Sequence, residues 1–189
     1  LSQTYSNVEV CVVDDNEPGD SYSIILQKTL EKYINEPRVR YIQQTHHVNG
    51  AVARNVGIAS SNGEYVAFLD DDDEWLPEKI EKQISYLLAN PEIGGISCLC
   101  KVFSDGKEVG QNGPYTGDNL QFKVLSRKVA IFTSTFLCRR KVIEESKGFN
   151  PELLRHQDLQ MFVDFLNCGT IEPINEYLVR LHTDSEINR

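Results

Sequence analysis

The sequence predicts an α/β fold, and three observations carry that expectation. Strand-like and helix-like runs alternate through the first half of the chain, a pattern that favours a mostly parallel sheet flanked by helices and joined by right-handed crossovers. Two apolar runs, residues 8–13 and 64–69, end in consecutive acidic residues, at the strand ends where open α/β sheets place their ligands. The 189 residues, 40% hydrophobic and 25% charged, suffice for one substantial core and are too few for two. Residues 1–189 therefore read as a single domain.

Taken in order, residues 8–13 form a β-rich run closed by Asp14-Asp15-Asn16 and a Pro18-Gly19 turn. Asp20 or Ser21 caps the helix that follows, whose buried stripe is read as Leu26, Leu30, Tyr33 and Ile34. Pro37 stops it, and residues 38–42 make a short strand. A polar loop at 46–50 leads into a second helix, 51–60, which Asn62-Gly63 ends. After the strand at 64–69, Pro77 and Glu78 open a helix whose apolar side is Ile80, Ile84, Leu87 and Leu88. Residues 93–103 form a strand, Asp105-Gly106 a hairpin turn, and 110–119 a loop of the kind that lies over binding sites. A strand at 132–138, a short helix at 142–146, a loop at 148–157, a helix at 158–167 and a mixed strand and tail at 170–181 complete the chain. The second half is more irregular than the first.

A net charge of -9 and a pI near 4.9 argue against a nucleic-acid or anionic-membrane surface, which needs a basic footprint. The five cysteines, Cys11, Cys98, Cys100, Cys138 and Cys168, show neither a CxxC pair nor a His-Cys metal spacing. They read as reduced, mostly buried thiols of a cytosolic chain. No apolar run approaches the roughly 20 residues that span a bilayer, and no signal peptide is expected at the start.

The densest chemistry lies at Phe68-Leu69-Asp70-Asp71-Asp72-Asp73-Glu74-Trp75. Four adjacent carboxylates beside a core strand repel one another, and a divalent cation is the simplest compensation. An EF-hand loop fails because Trp75 stands where its sixth-position glycine belongs. A P-loop, a GxGxxG turn and a GxSxG elbow are all absent. What remains is Asp-x-Asp at the end of a strand.

On these residues the chain resembles the GT-A glycosyltransferases of family 2, inverting enzymes that use nucleotide-diphosphate sugars. The likeness runs from Ser2-Gln3-Thr4-Tyr5 and the strand ending in Asp14-Asp15, through Ala53-Arg54-Asn55-Val56-Gly57-Ile58 and Asn62-Gly63-Glu64-Tyr65, to the aspartate run, Gly148-Phe149 and Arg155-His156-Gln157-Asp158. It implies a GT-A, Rossmann-like fold, with residues 1–103 binding the nucleotide sugar and 104–189 the acceptor. It also implies that a strand and helix precede the first residue here, so that the fold is N-terminally incomplete, and that the sheet edge beside residues 8–13 lies open as an association hazard.

The resemblance places site residues as follows. Asp14 and Asp15 match the pair after the nucleotide-binding strand, where a carboxylate accepts hydrogen bonds from the base or ribose; the competing reading is a turn with Asn16. Arg54 falls near the nucleotide, against a surface ion pair as the alternative. Asp70-Asp71-Asp72 matches the family's Asp-x-Asp, with Asp72 on the metal and Asp70 toward the ribose or the metal's water shell, while Asp73 supports the strand end. Asp158 matches the general base, at the start of a helix where negative charge is favoured, or else serves as an N-cap; Gln157 stands where the family often has Glu. His182 resembles a late histidine that meets the metal or diphosphate, or else is simply exposed. Arg139-Arg140-Lys141 reads as a solvated helix start or a basic group facing the acceptor, and Trp75 as packing beside the site.

The expected reaction is transfer of a sugar from a nucleotide-diphosphate donor, UDP favoured, to a hydroxyl of a glycan or lipid-linked glycan, with Mn²⁺ or Mg²⁺ as cofactor, in surface-polysaccharide synthesis. The expected location is cytoplasmic, extending to peripheral proximity with the inner face of the membrane, and no nucleic-acid partner is expected. Two other readings stand beside it. Phe68-Leu69-Asp70-Asp71-Asp72 also fits a haloacid-dehalogenase-type phosphatase or phosphomutase, with Asp70 as nucleophile, although Glu74 replaces the usual Thr or Val. The third is a catalytically inactive fragment that binds nucleotide sugars.

Overall fold

The computed structural model describes residues 1–113 and 120–183. Their strands are β1 (Val10–Asp14), β2 (Val39–Gln43), β3 (Tyr65–Ala67), β4 (Glu74–Trp75), β5 (Gly95–Ser104), β6 (Lys107–Gln111), β7 (Phe136–Arg139) and β8 (Ile171–His182). The helices are α1 (Ser21–Leu30), α2 (Gly50–Ser60), α3 (Lys79–Ala89), α4 (Leu120–Leu125), α5 (Arg140–Glu145) and α6 (Gln157–Cys168). The α/β class holds, but the sheets are mixed rather than mostly parallel. β1 pairs with β2 in a parallel two-stranded unit, and the other strands form a six-stranded sheet in which only β5 and β8 run parallel. One antiparallel pairing is local, the Asp105-Gly106 hairpin that joins β5 to β6; the others, β3 with β7, β5 with β7 and β4 with β8, join strands distant in sequence. Both hairpin residues have positive φ, 49° and 74°, as a two-residue turn with the right twist requires.

β5 is the spine of the larger sheet. β8 runs along one of its edges, while β7 and then β6 share the other. β3 lies outside β7, and β4 outside β8, so that the chain passes from one margin of the sheet to the other between Ala67 and Glu74. The aspartate run is that crossing. One face of the sheet is covered by α2, α5 and α6, where Phe136 meets the rings of Phe162 and Phe165 edge-on at 5.1 and 5.2 Å. A Cβ on Gly95 would stand 2.7 Å from the Phe136 ring, so the spine needs glycine where the aromatic ring crosses it. On the other face α3 buries Ile80, Ile84 and Leu87, each contributing about 1.5–3 kcal/mol by removal from water. Leu88, assigned to that stripe from spacing, is 64% exposed because the stripe follows Lys79, Ile80, Gln83, Ile84 and Leu87 instead.

The β1–β2 unit is thinner. Of the expected stripe of α1, Leu26, Leu30 and Tyr33 are half-buried and Ile34 is 81% exposed, and the helix's one fully buried residue is Ser23. Asp20 caps this helix through the Ser23 amide at 2.7 Å, and Ser23 donates its hydroxyl to Asp14, so α1 docks by a polar contact. Among the described residues no strand pairs with the second edge of β1. Arg139 and Arg140 are not a solvated start to α5. Arg139 donates to the carbonyls of Leu87 and Ile93, and Arg140 to those of Ile58 and Gly63, closing the C-terminal ends of α3 and α2 where carbonyls lack helical partners. All five cysteines are free, and burial pushes the Cys98 and Cys100 thiols up to about 11 and about 12 and Cys138 higher still. Residues 114–119 of the expected site-covering loop lie outside the described residues.

Candidate active site

The crossing at Asp70-Asp71-Asp72-Asp73 meets α2, the Thr133–Thr135 turn and the start of α6 in a cleft of ≈ 320 Å³. Arg54, Asp70, Asp73, Thr133, Arg155, His156, Gln157 and Asp158 line it, so three residues singled out from sequence, Arg54, Asp70 and Asp158, share one cavity. α2 supplies Arg54 because Asn49 caps the helix on the Val52 amide, and the guanidinium then reaches 5.4 Å from the Phe149 ring. Its Nη2 donates to Asp70 Oδ1 at 2.6 Å, with the side chains 25% and 35% exposed. The second Asp70 oxygen accepts from Thr133 Oγ1 at 3.0 Å, and the Asp70 amide donates to Ser134 Oγ at 3.1 Å.

Asp73 is half-buried beside it. Burial raises its pKa, and the neighbouring Asp72 and Asp70 charges push the same way, against hydrogen bonds from the Ser134 hydroxyl and the His182 amide. It lines the cleft and holds the end of β8, a mixed role that the sequence reading assigned only to structure. Asp71 and Asp72 are exposed. The Asp72 carboxylate accepts no hydrogen bond among the described residues. His182 ends β8 with its ring stacked on Phe103 at 5.7 Å, and Nε2 is buried with no hydrogen-bond partner, 3.7 Å from Glu74 Oε1. No set of three or more His, Cys, Asp or Glu side chains among the described residues forms a closed metal cage.

Asp158 sits in the first turn of α6, half-buried and with no hydrogen bond from the described residues. It does not cap the helix: the cap position is His156, held in the left-handed region at φ 59° and ψ 29°, a conformation uncommon for a residue with a Cβ. Arg127 Nη2 lies 3.2 Å from His156 Nδ1. The Asn55 side chain donates to Phe149 O at 2.7 Å and accepts from Phe149 N at 2.9 Å, clamping the segment that leads to Asp158 against α2. Two sequence segments that resemble the family separately are thus one physical unit.

Asp14 and Asp15 lie at the end of β1, away from this cleft's lining. Asp14 is 1% exposed, and both oxygens are committed: Oδ1 accepts from the Asn16 amide and side chain, Oδ2 from Ser23 and the Tyr41 hydroxyl at 2.8 and 2.6 Å. Burial raises its pKa, but the bonds from Tyr41, Ser23 and Asn16 outweigh that and leave it lowered. The turn with Asn16 is therefore present. Asp15 is more open to the loop, accepting from Gln44 Nε2 and the Val48 amide, with His47 Nδ1 3.1 Å from its second oxygen. Sequence reasoning gave no role to Thr133 and Ser134, which sit in an apolar-flanked Thr-Ser-Thr whose hydroxyls carry no motif; it read His47 as a loop residue and Asn55 only as part of the Ala53-Arg54-Asn55 likeness.

A family model for glycosyl transferase family 2 matches residues 1–146. The chain is 33% identical over 175 residues to the Escherichia coli UDP-Glc:alpha-D-GlcNAc-diphosphoundecaprenol beta-1,3-glucosyltransferase WfgD, covering 93% of this chain and 64% of that protein. It is 26% identical over 182 residues to Escherichia coli chondroitin synthase, covering 93% of this chain and 25% of the relative. The chain therefore spans about a quarter to two thirds of the length of these curated relatives. Among solved structures, Staphylococcus aureus TarS 1–349 in complex with UDP superposes with a TM-score of 0.72 at 19% identity, over 96% of this chain and 54% of that one. At that identity the likeness bears on the fold, which is the GT-A arrangement expected from the sequence. On the family match, spanning most of its length, the chain belongs to glycosyl transferase family 2.

Proposed function

We propose that this chain carries the donor and acceptor sites of an inverting transferase that moves a sugar from a UDP-sugar to a hydroxyl of a glycan or lipid-linked glycan in surface-polysaccharide synthesis. The single observation that carries the reading is the cleft that sets the Arg54–Asp70 pair opposite an uncommitted carboxylate, Asp158, on one rigid clamp. Residues 1–103 hold the donor and 104–189 the acceptor. At the end of β1, Asp15 and His47 meet the base or ribose, while the saturated Asp14 shapes the loop under them. The UDP-Glc in the name of WfgD and the UDP bound to TarS favour UDP.

In this reading the acceptor hydroxyl loses its proton to Asp158 as its oxygen attacks the anomeric carbon. The carbon–phosphate oxygen bond breaks on the opposite face, its electron pair leaves with the diphosphate, and configuration inverts in one displacement. Arg54 supplies positive charge in the cleft, where a planar guanidinium suits phosphate oxygens. Asp72 would hold Mn²⁺ or Mg²⁺, with Asp70 and the unpartnered His182 Nε2 as the further candidates. A set with one free carboxylate suits a hard dication that takes one or two protein oxygens and completes its octahedron with phosphates and water. When bound, the ion would act as a Lewis acid that stabilises charge on the leaving diphosphate. An aspartyl-phosphate route is disfavoured because both oxygens of Asp70 are already held by Arg54 and Thr133.

Isothermal titration of the protein with UDP, with and without Mn²⁺, tests the reading. Binding is expected only with the metal, and Asp72→Asn is expected to weaken it by about tenfold or more. Absence of binding to UDP, GDP and dTDP alike overturns the proposal. Metal-dependent binding without turnover on any acceptor identifies the alternative, an inactive sugar-nucleotide-binding protein.

A further inference from the structure

Behind the aspartates lies a buried polar chain that the proposed reaction does not use. Lys79, in the first turn of α3, is fully buried, a costly place for an ammonium. Among the described residues it forms no ion pair. Its Nζ donates to Gln83 Oε1 at 2.7 Å and stands 4.2 Å from the centre of the Trp75 ring. Gln83, also fully buried, turns its Nε2 to the Thr135 carbonyl at 2.9 Å and the Ile96 carbonyl at 3.4 Å. Trp75 donates its indole N–H to the Ser134 carbonyl at 2.7 Å. Two successive carbonyls of the Thr133–Thr135 turn are thus held from below. The hydroxyls above them, Thr133 Oγ1 and Ser134 Oγ, engage Asp70.

An amide has two faces, a donor and an acceptor, and a neighbour must choose which points where. An ammonium can only donate, so it compels Gln83 to offer its oxygen to Lys79 and its N–H to the turn. We propose that Lys79 is a positioning residue for the site carboxylate Asp70: it fixes the Gln83 amide, and Gln83 with Trp75 holds the turn that orients Asp70. A methionine at 79 would fit the apolar volume without this effect. It would leave Gln83 Oε1 without a donor in the core, removing one anchor of the amide whose Nε2 holds the Thr135 and Ile96 carbonyls. The low dielectric of the site makes such an unpaired acceptor costly. Burial pushes the Lys79 ammonium down to about 8, in keeping with an environment that contains no carboxylate to repay it.

The experiment compares Lys79→Met and Gln83→Glu with the parent protein. Gln83→Glu keeps the side-chain volume and strengthens the bond to Lys79, while placing an acceptor against the Thr135 carbonyl. Trp75 is the chain's one tryptophan, so its indole N–H exchange by NMR and its emission report on the turn without any ligand. Both variants are expected to unfold cooperatively, to exchange the indole proton faster, and to bind UDP with Mn²⁺ about tenfold more weakly, the size of effect seen when groups that orient a ligand's partners are removed. Unchanged indole exchange in both variants overturns the proposal. So does an unchanged UDP affinity in folded variants, or loss of cooperative unfolding in both, which would make the chain purely structural. The binding arm rests on the proposed function; if the parent protein itself fails to bind UDP, that reading fails, and the indole arm alone decides this one.

Discussion

The acidic end of β1 and the first turn of α6 each present an aspartate, and the two are opposites. Asp14 is buried and accepts four hydrogen bonds, two on each oxygen. Asp158 is half-buried in a cleft and accepts none from the described residues. A carboxylate whose lone pairs are spent on its own loop is scaffold, because any ligand must first displace bonds already made. One with open lone pairs facing a cavity is available for a proton. In the proposed reading hydrogen-bond saturation separates the supporting carboxylate from the reacting one, and half of the Asp14 bonds come from residues farther along the chain, Ser23 and Tyr41.

The strongest break of this comparison is Asp158→Asn. It preserves shape but cannot take a proton, so turnover is expected to fall by roughly 10²- to 10⁴-fold with melting temperature and UDP affinity near those of the parent. Steady-state transfer with matched calorimetry checks it, and turnover that survives would move the base elsewhere. The opposite outcome belongs to Asp14→Asn, which is expected to cost about 2 kcal/mol of stability by disturbing a saturated buried carboxylate. Here pH supplies the sign. The folded-state pKa of Asp14 is lowered, so its ionisation contributes stability above the unfolded value near 4 and loses it as pH falls through the folded one. Urea unfolding of parent and variant should therefore differ most near neutrality and converge in acid. A difference that persists unchanged to low pH would mean that charge at Asp14 is not what the loop needs.

How far the sequence foretold this sorting follows from the range of the interactions. The acidic end of β1, the Asp20 cap, the Asp105-Gly106 hairpin and the Ile80, Ile84 and Leu87 stripe depend on neighbours a few residues away, and they were legible, whereas β3 stops at Ala67, short of the aspartates. The mixed sheet was not, because β3 and β4 lie on opposite margins only after β7 and β8 are added from the second half of the chain. Arg139 and Arg140 looked solvated because their acceptors are backbone carbonyls, which no side-chain pattern records. The α1 stripe was legible in part: Leu26, Leu30 and Tyr33 lie on the covered side, but helical spacing names only a face, and a two-stranded unit offers too little surface to bury them fully. Within the site, Arg54 and Asp158 stood out by motif, whereas Thr133 and Ser134 matter only through the crossing that brings Asp70 above them.

Arg54 and Asp70 fall between the two extremes and test where the boundary lies. Asp70 has both oxygens engaged, like Asp14, yet it lines the cleft, like Asp158. Arg54→Lys retains the charge but replaces a planar donor fork with a point charge on a shorter, more mobile end. Since both side chains remain a quarter to a third exposed, solvent screens the pair, and the expected loss of stability is under about 1 kcal/mol. Donor binding should suffer more, with KM for the nucleotide sugar rising about tenfold while kcat changes little, because the fork is lost equally from ground and transition states. If thermal unfolding instead shifts strongly while KM holds, Asp70 is scaffold like Asp14, and the donor's contacts must be sought at Asp72 and beyond. If kcat falls with KM unchanged, the pair acts in the displacement itself, and Arg54 would then stabilise charge that develops only as the phosphate bond breaks.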